Sequence, residues 1–459
     1  MTGLTLAAAS STRCQPAAPR ADHHQHLQSP NAVELANRVL PPIAVPDDVA
    51  RLLREREDRW NQSSALEKLF TESSQVFTAA SPGWAQGPRR SAEFLSRRFA
   101  RPYRLTPTAS RFDGRTGWVS GYYTRGEGTS ATRIGYFHLS LERADDGRWH
   151  ISSEVPSFPG PPVSRGEDAR SLIQYLDAAG IRFGVVLSEA YFFDSPKYDV
   201  ADKLDKVRAE NDWTAQQVAA FKERLVAFCS FNPLTEHALA ELERCASSGR
   251  FVGVKLHFGT SGVNLKDDAH VAKVRDVVEA ANRHRMSLVV HVRAGPEYGS
   301  DEARILLDRI VSAAPDVTFQ IAHLWGGEQF SADALGVYAD AFSRREPATR
   351  KLYFDLAEVA LVLRGSKSEM QTAVSRMRQI GFDRILYGTD GPVEEAQSPV
   401  DGWKETQRLP LQKRELAAIA RNVAPYLRSL TADRRFNRAA AARPTNAFGT
   451  LVYQSWNVR

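Results

Sequence analysis

Two histidines, His24 and His26, stand two residues apart in the segment ADHHQHL at 21–27. On an extended strand successive side chains alternate between faces, so both imidazoles point to one side, where together they can bind a divalent ion. An HxH pair alone is weak evidence, because neighbouring histidines near a terminus are often simply solvated. Three further residues give it weight: His291 falls near the end of the apolar run SLVVHVRAG, His323 near the end of TFQIAHLW, and Asp390 at the end of RILYGTD. Imidazoles with a carboxylate form a metal-binding set that also holds an acid or base. The chain has eleven histidines in 459 residues, so four at such positions in this order is a pattern rather than scatter.

For these groups to meet, a fold must bring several strand ends together. From residue 165 onward short β-branched runs alternate with amphipathic helical stretches, the mark of a parallel sheet. Seven runs read as strands, at 181–188, 226–233, 251–258, 287–294, 318–325, 352–359 and 384–390. Val271, Val274, Val277, Val278 and Ala281 put one apolar stripe on an intervening helix, and Leu172 with Leu176, Leu306 with Ile310, and Met370 with Val374 and Met377 repeat the device. Residues 21–27 supply an eighth strand. The expected fold class is therefore α/β, a (β/α)8 TIM barrel whose strand ends converge on one pocket.

A different pattern lies between the proline-rich stretches at 41–46 and 156–162. A helix holding Leu52, Leu53, Trp60, Leu66 and Leu69 precedes more helix, then strands that include 117–124, 133–142 and 148–154. The sequence thus divides into an N-terminal tail or signal remnant at 1–20 and a split barrel at 21–45 and 165–430. An α+β insert occupies 46–156, a linker 157–164 and a basic tail 431–459. An insert that leaves after the first strand departs from the face where the strand ends meet, so it is expected to restrict substrate entry.

Composition narrows the classes. A hydrophobic fraction of 42%, a charged fraction of 25% and a net charge of +6 exclude wholesale disorder and fibrous repeats. No dense Lys/Arg block interleaved with aromatics suggests nucleic acid, and no apolar run is long enough to span a membrane. Cys14, Cys229 and Cys245 lack the spacing of a disulfide framework or structural zinc site. The first residues lack a basic n-region, so the chain reads as cytoplasmic unless they are a truncated signal peptide. The expected partner is a small molecule, with a homo-oligomer left open.

The segments DHHQHL at 22–27, GVKLH at 253–257, HVRAG at 291–295, IAHLWGG at 321–327 and YGTDGP at 387–392 resemble the amidohydrolase superfamily, in particular its aminocarboxymuconate-semialdehyde decarboxylase-like branch. The resemblance implies His24, His26, His291 and Asp390 as metal ligands, usually for zinc, sometimes for manganese or another divalent ion, with His323 polarising the substrate or moving a proton. Such an ion brings the pKa of a water toward about 7, Asp390 would take the proton released, and His323 would stabilise the oxyanion. Superfamily members with two metals carry a carboxylated lysine on the fourth strand, where Lys255 stands. Lys255 and His257 are read in preference as groups that bind substrate anions or satisfy each other. Arg293 is placed to clamp a substrate carboxylate or to bridge at the barrel mouth, and Trp325 to wall the pocket or to pack. The insert resembles an NTF2-like, SnoaL-like domain. These implications add up to a metal-dependent hydrolase acting on an amide, ester or lactone of a small, carboxylate-bearing substrate. A non-oxidative decarboxylase with the same ligands is the alternative, and a catalytically inactive binding or interaction protein the second.

Overall fold

The computed structural model describes residues 17–36, 42–77, 84–98, 102–125, 132–157, 166–292, 298–327, 329–391 and 398–431. The sequence readings of an N-terminal tail, a linker and a basic C-terminal tail fall wholly or mostly outside the described residues, as does Arg293. The chain divides into two compact units, one formed by Met1–Ala32 with Gly166–Arg459, the other by Val33–Arg165.

In chain order the strands are β1 (Ala21–Gln25), β2 (Phe70–Phe77), β3 (Trp84–Gln86), β4 (Arg104–Asp113), β5 (Thr116–Arg125), β6 (Thr132–Arg143), β7 (Trp149–Ser157), β8 (Phe183–Leu187), β9 (Leu225–Ser230), β10 (Gly253–His257), β11 (Ser287–His291), β12 (Phe319–Ile321), β13 (Leu352–Asp355) and β14 (Ile385–Leu386). The first unit holds β1 and β8 to β14 in one parallel sheet of eight strands, in the order β1-β8-β9-β10-β11-β12-β13-β14. Backbone bonds close it into a barrel: His23 N–H donates to Tyr387 O at 2.9 Å, Asp390 N–H to His24 O at 2.8 Å, and His26 N–H to Gly391 O at 3.0 Å. Gly388 makes the closure feasible, because a Cβ there would lie 2.9 Å from the Cβ of His24.

Every residue of β1, β8, β9 and β11 is buried, which is why most of these strands read as unbroken apolar runs rather than alternating ones. The helix Asp268–Arg283 buries Val271, Val274, Val277, Val278 and Ala281, and its Asp267 side chain accepts from the Ala269 and His270 amides as an N-cap. Most barrel strands end sooner than their apolar runs. The chain turns out of the sheet through left-handed residues at His323 (φ 54°) and Glu358 (φ 56°), which shortens β12 and β13. The other end of the barrel is filled by Leu427, packed on Ala21, Phe183, Val185, Leu187, Val226, Phe228 and Val289, with Tyr426 beside it.

One buried acid on this scaffold sets a pH response. Burial raises Glu210, on the helix Lys203–Ala219, from 4.5 to about 7, although a hydrogen bond from Ser29 Oγ opposes the shift. With its pKa higher folded than unfolded, the folded state binds the extra proton, so the stability that Glu210 contributes is fully present below about 4.5 and is lost as pH rises through about 7. Glu210→Gln should remove that part of the slope, which urea unfolding of both proteins at pH 5 and pH 8 measures. Equal losses in the two proteins would refute it.

The second unit is an α+β fold with a six-stranded sheet ordered β3-β2-β7-β6-β5-β4, antiparallel except where β2 pairs with β7. Its core takes Val49, Leu52 and Leu53 from the helix Asp47–Asp58, with Leu66, Phe70, Val119, Leu139 and Ile151. The single helix expected from Leu52 to Leu69 is interrupted. Trp60 falls in the turn after Asp58, Leu66 closes the short helix Ser63–Leu66, and Leu69 closes the 3-10 turn Glu67–Leu69. Polar residues 61–64 (NQSS) compete for backbone groups and favour a turn there. Next comes β2 rather than more helix, its Phe70, Ser74 and Val76 turned inward, and the helix Pro88–Arg98 follows only after β3.

Candidate active site

His24 on β1 and His26 just past its end, two residues apart, turn toward a common centre, while the ring of His23, one residue earlier, is engaged elsewhere, its Nδ1–H donating to Tyr387 O at 2.9 Å. β10 delivers Lys255 and His257, and β11 delivers His291. His323 and Asp390 arrive on left-handed backbone, at φ 54° and 66°, which aims each side chain after its strand has ended.

These groups meet. His24 Nε2 lies 2.9 Å from Asp390 Oδ1 and 3.1 Å from Lys255 Nζ, and His26 Nε2 is 3.3 Å from Asp390 Oδ1. His323 Nε2 is 3.9 Å from Asp390 Oδ2 and 3.1 Å from His291 Nδ1. His24, His323 and Asp390 each offer a ligand atom within 4.8 Å of the others, a possible His/His/Asp metal site. His257 stacks on His291 with centroids 3.9 Å apart, Tyr191 stands behind it at 4.9 Å, and its Nδ1 accepts the Thr260 amide at 3.1 Å. Trp325 is fully buried, its ring edge-on to Phe330 at 5.0 Å.

The second nitrogen of each ring tests whether a metal ion would fit. His24 Nδ1 faces Asp355 Oδ2 at 3.1 Å, His26 Nδ1 faces Leu187 O at 2.9 Å, and His323 Nδ1 faces Ala357 O at 3.0 Å. An acceptor at Nδ1 fixes the proton there and leaves the Nε2 lone pair for the centre, as metal-binding histidines require. Three such lone pairs around one carboxylate suit a divalent cation of the zinc or manganese type.

Charge agrees with geometry. Burial and Lys255 push His24 down, yet the Asp390 and Asp355 carboxylates outweigh both and hold it at about 9. A proton between two carboxylates occupies a position that a cation can take, so binding a metal there would displace it. Burial lowers His26 to about 4 and takes His257 and His291 well below their usual range, so these rings are neutral at pH 7. Burial also lowers Lys255, to about 8, against the pull of Asp390, Asp355 and Glu189. Asp390 stays far below the usual carboxylate range because His24 and His26 outweigh burial.

The sequence reading missed three participants. Asp355 is fully buried, accepts from the His323 and Ala357 amides at 3.0 and 3.1 Å, and orients His24. Glu189 brings Oε1 to 3.8 Å from His26 Nδ1, and Tyr191 flanks His257. The rule that singled out Asp390 also applied to Asp355, which ends the run LYFD.

Among the described residues no helix is long and apolar enough to cross a membrane. The model of the family described as amidohydrolase matches residues 164–424. No curated protein matches the chain. Among solved structures, a 5-carboxyvanillate decarboxylase from Sphingomonas paucimobilis is similar at 19% identity and a TM-score of 0.38, over 54% of this chain and 79% of its own. A protein from Acinetobacter baumannii titled as a 2-pyrone-4,6-dicarboxylic acid hydrolase is similar at 16% identity and a TM-score of 0.37, over 55% of this chain and 86% of its own. An NTF2-like protein of Shewanella oneidensis is similar at 19% identity and a TM-score of 0.20, over 24% of this chain and 97% of its own. With more than half of its length matched by the family model, the chain belongs to the amidohydrolase family.

Proposed function

We propose that the protein is a metal-dependent hydrolase, with Zn²⁺ as its ion, that adds water to the amide, ester or lactone carbonyl of a small, carboxylate-bearing substrate. The observation that carries this reading is the Asp390 carboxylate, 25% exposed and held against the Nε2 atoms of both His24 and His26. The family resemblance assigns the ion to His24, His26, His291 and Asp390 and the substrate to His323, while the geometry gathers His24, His323 and Asp390 within 4.8 Å, so His323 would face the ion or the substrate bound beside it. When bound, a divalent ion supplies Lewis acidity for the carbonyl oxygen and for water. Asp390, anionic at neutral pH, accepts the proton that the attacking water loses. Lys255, cationic below about pH 8, offers its charge to a substrate carboxylate or a developing oxyanion.

Hydrolysis is the reading put forward, and a non-oxidative decarboxylation on the same residues is the alternative that product analysis separates from it. The test is to strip the protein with a chelator, restore Zn²⁺ or Mn²⁺, and offer small esters, lactones, amides and aromatic carboxylates. Metal-restored hydrolysis without CO₂ is expected. Release of CO₂ alone would make it a decarboxylase, and absence of both metal uptake and turnover would leave a binding protein.

A further inference from the structure

A line of hydrogen bonds runs from the end of the barrel opposite the catalytic residues into the centre of the site. Tyr426 lies on the 3-10 turn Pro425–Leu427 and shares the lining of a cavity of about 380 Å³ with Val252, Ser287 and Thr318, residues that immediately precede or begin strands β10 to β12. Its hydroxyl donates to Gln320 Oε1 at 2.6 Å. Gln320, fully buried on β12, donates through Nε2 to Asp355 Oδ2 at 2.7 Å and to His23 O at 3.3 Å. Asp355 Oδ2 in turn accepts from His24 Nδ1 at 3.1 Å. We propose that Tyr426 and Gln320 are positioning residues for the metal ligand His24, acting through Asp355. The inference rests on the metal-binding reading given above.

The polarity of each link gives the line its effect. The Gln320 amide has a donor end and an acceptor end, and only the donor end can face an ionised carboxylate at 2.7 Å. Tyr426 supplies the hydroxyl hydrogen that the acceptor end needs. Without it Oε1 is a carbonyl oxygen with no partner from that side in the barrel interior, and the amide gains by swinging toward another donor. Asp355 then loses one of four donors, the others being His24 Nδ1 and the His323 and Ala357 amides. The turn is itself anchored, because Asn422 Nδ2 donates to Phe382 O and Ile385 O at 2.6 Å, and the Ala424 amide donates to His23 Nε2 at 3.1 Å. The far end of the line therefore has a fixed support.

Tyr426→Phe keeps the ring that packs edge-on against Phe228 at 5.1 Å and removes only the oxygen. Gln320→Met keeps the length of the side chain and removes the donor to Asp355. Zn²⁺ affinity of the chelator-stripped full-length protein, read by competition with a chromophoric chelator, should fall roughly 3- to 10-fold for Tyr426→Phe and 10- to 100-fold for Gln320→Met. In the double variant the tyrosine change should add nothing, because its route is already cut. Melting temperatures of the metal-free proteins separate a general loss of stability from this effect. Unchanged affinity in Tyr426→Phe, or two losses that simply multiply in the double variant, would overturn the proposal. If the wild-type protein takes up no Zn²⁺, the metal reading fails and the proposal falls with it; if the wild type binds and Tyr426→Phe binds equally well, only the proposal fails.

Discussion

Asp390→Asn should lower kcat on the order of 10³-fold while leaving the protein folded. The substitution is isosteric, so the left-handed backbone at 390 and the bond from its amide to His24 O can persist. What disappears is the anion that meets His24 Nε2 at 2.9 Å and His26 Nε2 at 3.3 Å. Positioned general bases contribute about 10²–10⁴-fold, and an amide cannot accept a proton from water at neutral pH. The new NH₂ group can donate to one of the lone pairs it faces, so the histidines keep a partner and the structural cost is small. Single-turnover kinetics with saturating Zn²⁺ separate lost chemistry from lost metal. A variant that retains normal kcat would remove Asp390 from the proton-transfer role.

His24→Ala should have the largest effect on metal binding, more than roughly 100-fold in Zn²⁺ affinity, since this exceeds what outer contacts alone produce. His24 is fully buried between Asp355 and Asp390 and is, among the described residues, the one imidazole that touches both carboxylates, Nδ1 at 3.1 Å and Nε2 at 2.9 Å. Its removal takes from Asp355 the imidazole at 3.1 Å and from Asp390 the one at 2.9 Å. Removing one partner of a buried ion pair typically costs about 3–5 kcal/mol, so the metal-free variant should also melt earlier than metal-free wild type. The two losses are separable. Titrating Zn²⁺ while following the melting temperature should raise it in the wild type and leave it flat in the variant, because only a ligand bound by the folded state stabilises it. A variant that Zn²⁺ stabilises as strongly as wild type would mean that the ion sits elsewhere.

The barrel was legible because its strands are buried on both faces, and burial on both faces writes itself as short apolar runs. All eight runs correspond to strands of the closed sheet, and His24, His26, His291, His323 and Asp390 could be found because each stands at or just past the end of one. Lys255 was seen and its role left open; the structure places it against His24. Residues that act from behind were harder to find. Gln320 is polar in the middle of an apolar strand, which carries meaning only once its neighbours are known. Tyr426 belongs to a turn with no periodicity, so its tie to a strand a hundred residues earlier has no trace in the sequence. In the second unit the long strands β5, β6 and β7 were expected at 117–124, 133–142 and 148–154, whereas FTESSQVF at 70–77 has too many polar residues to announce a strand before its pairing with β7 is known.

β1 carries His24 and leads directly into His26, yet its closing partner arrives very late in synthesis, since His23 bonds to Tyr387 across 364 residues. Ribosomes add about 5–20 residues per second, so roughly 20–70 s separate the two on the growing chain. For that interval a buried strand of the finished barrel has no closing neighbour, and the second unit can complete its own sheet first. The cluster of His24, His26 and Asp390 can therefore assemble only after the eighth barrel strand has been made, and a chain interrupted before Asp390 would hold the histidines without their carboxylate.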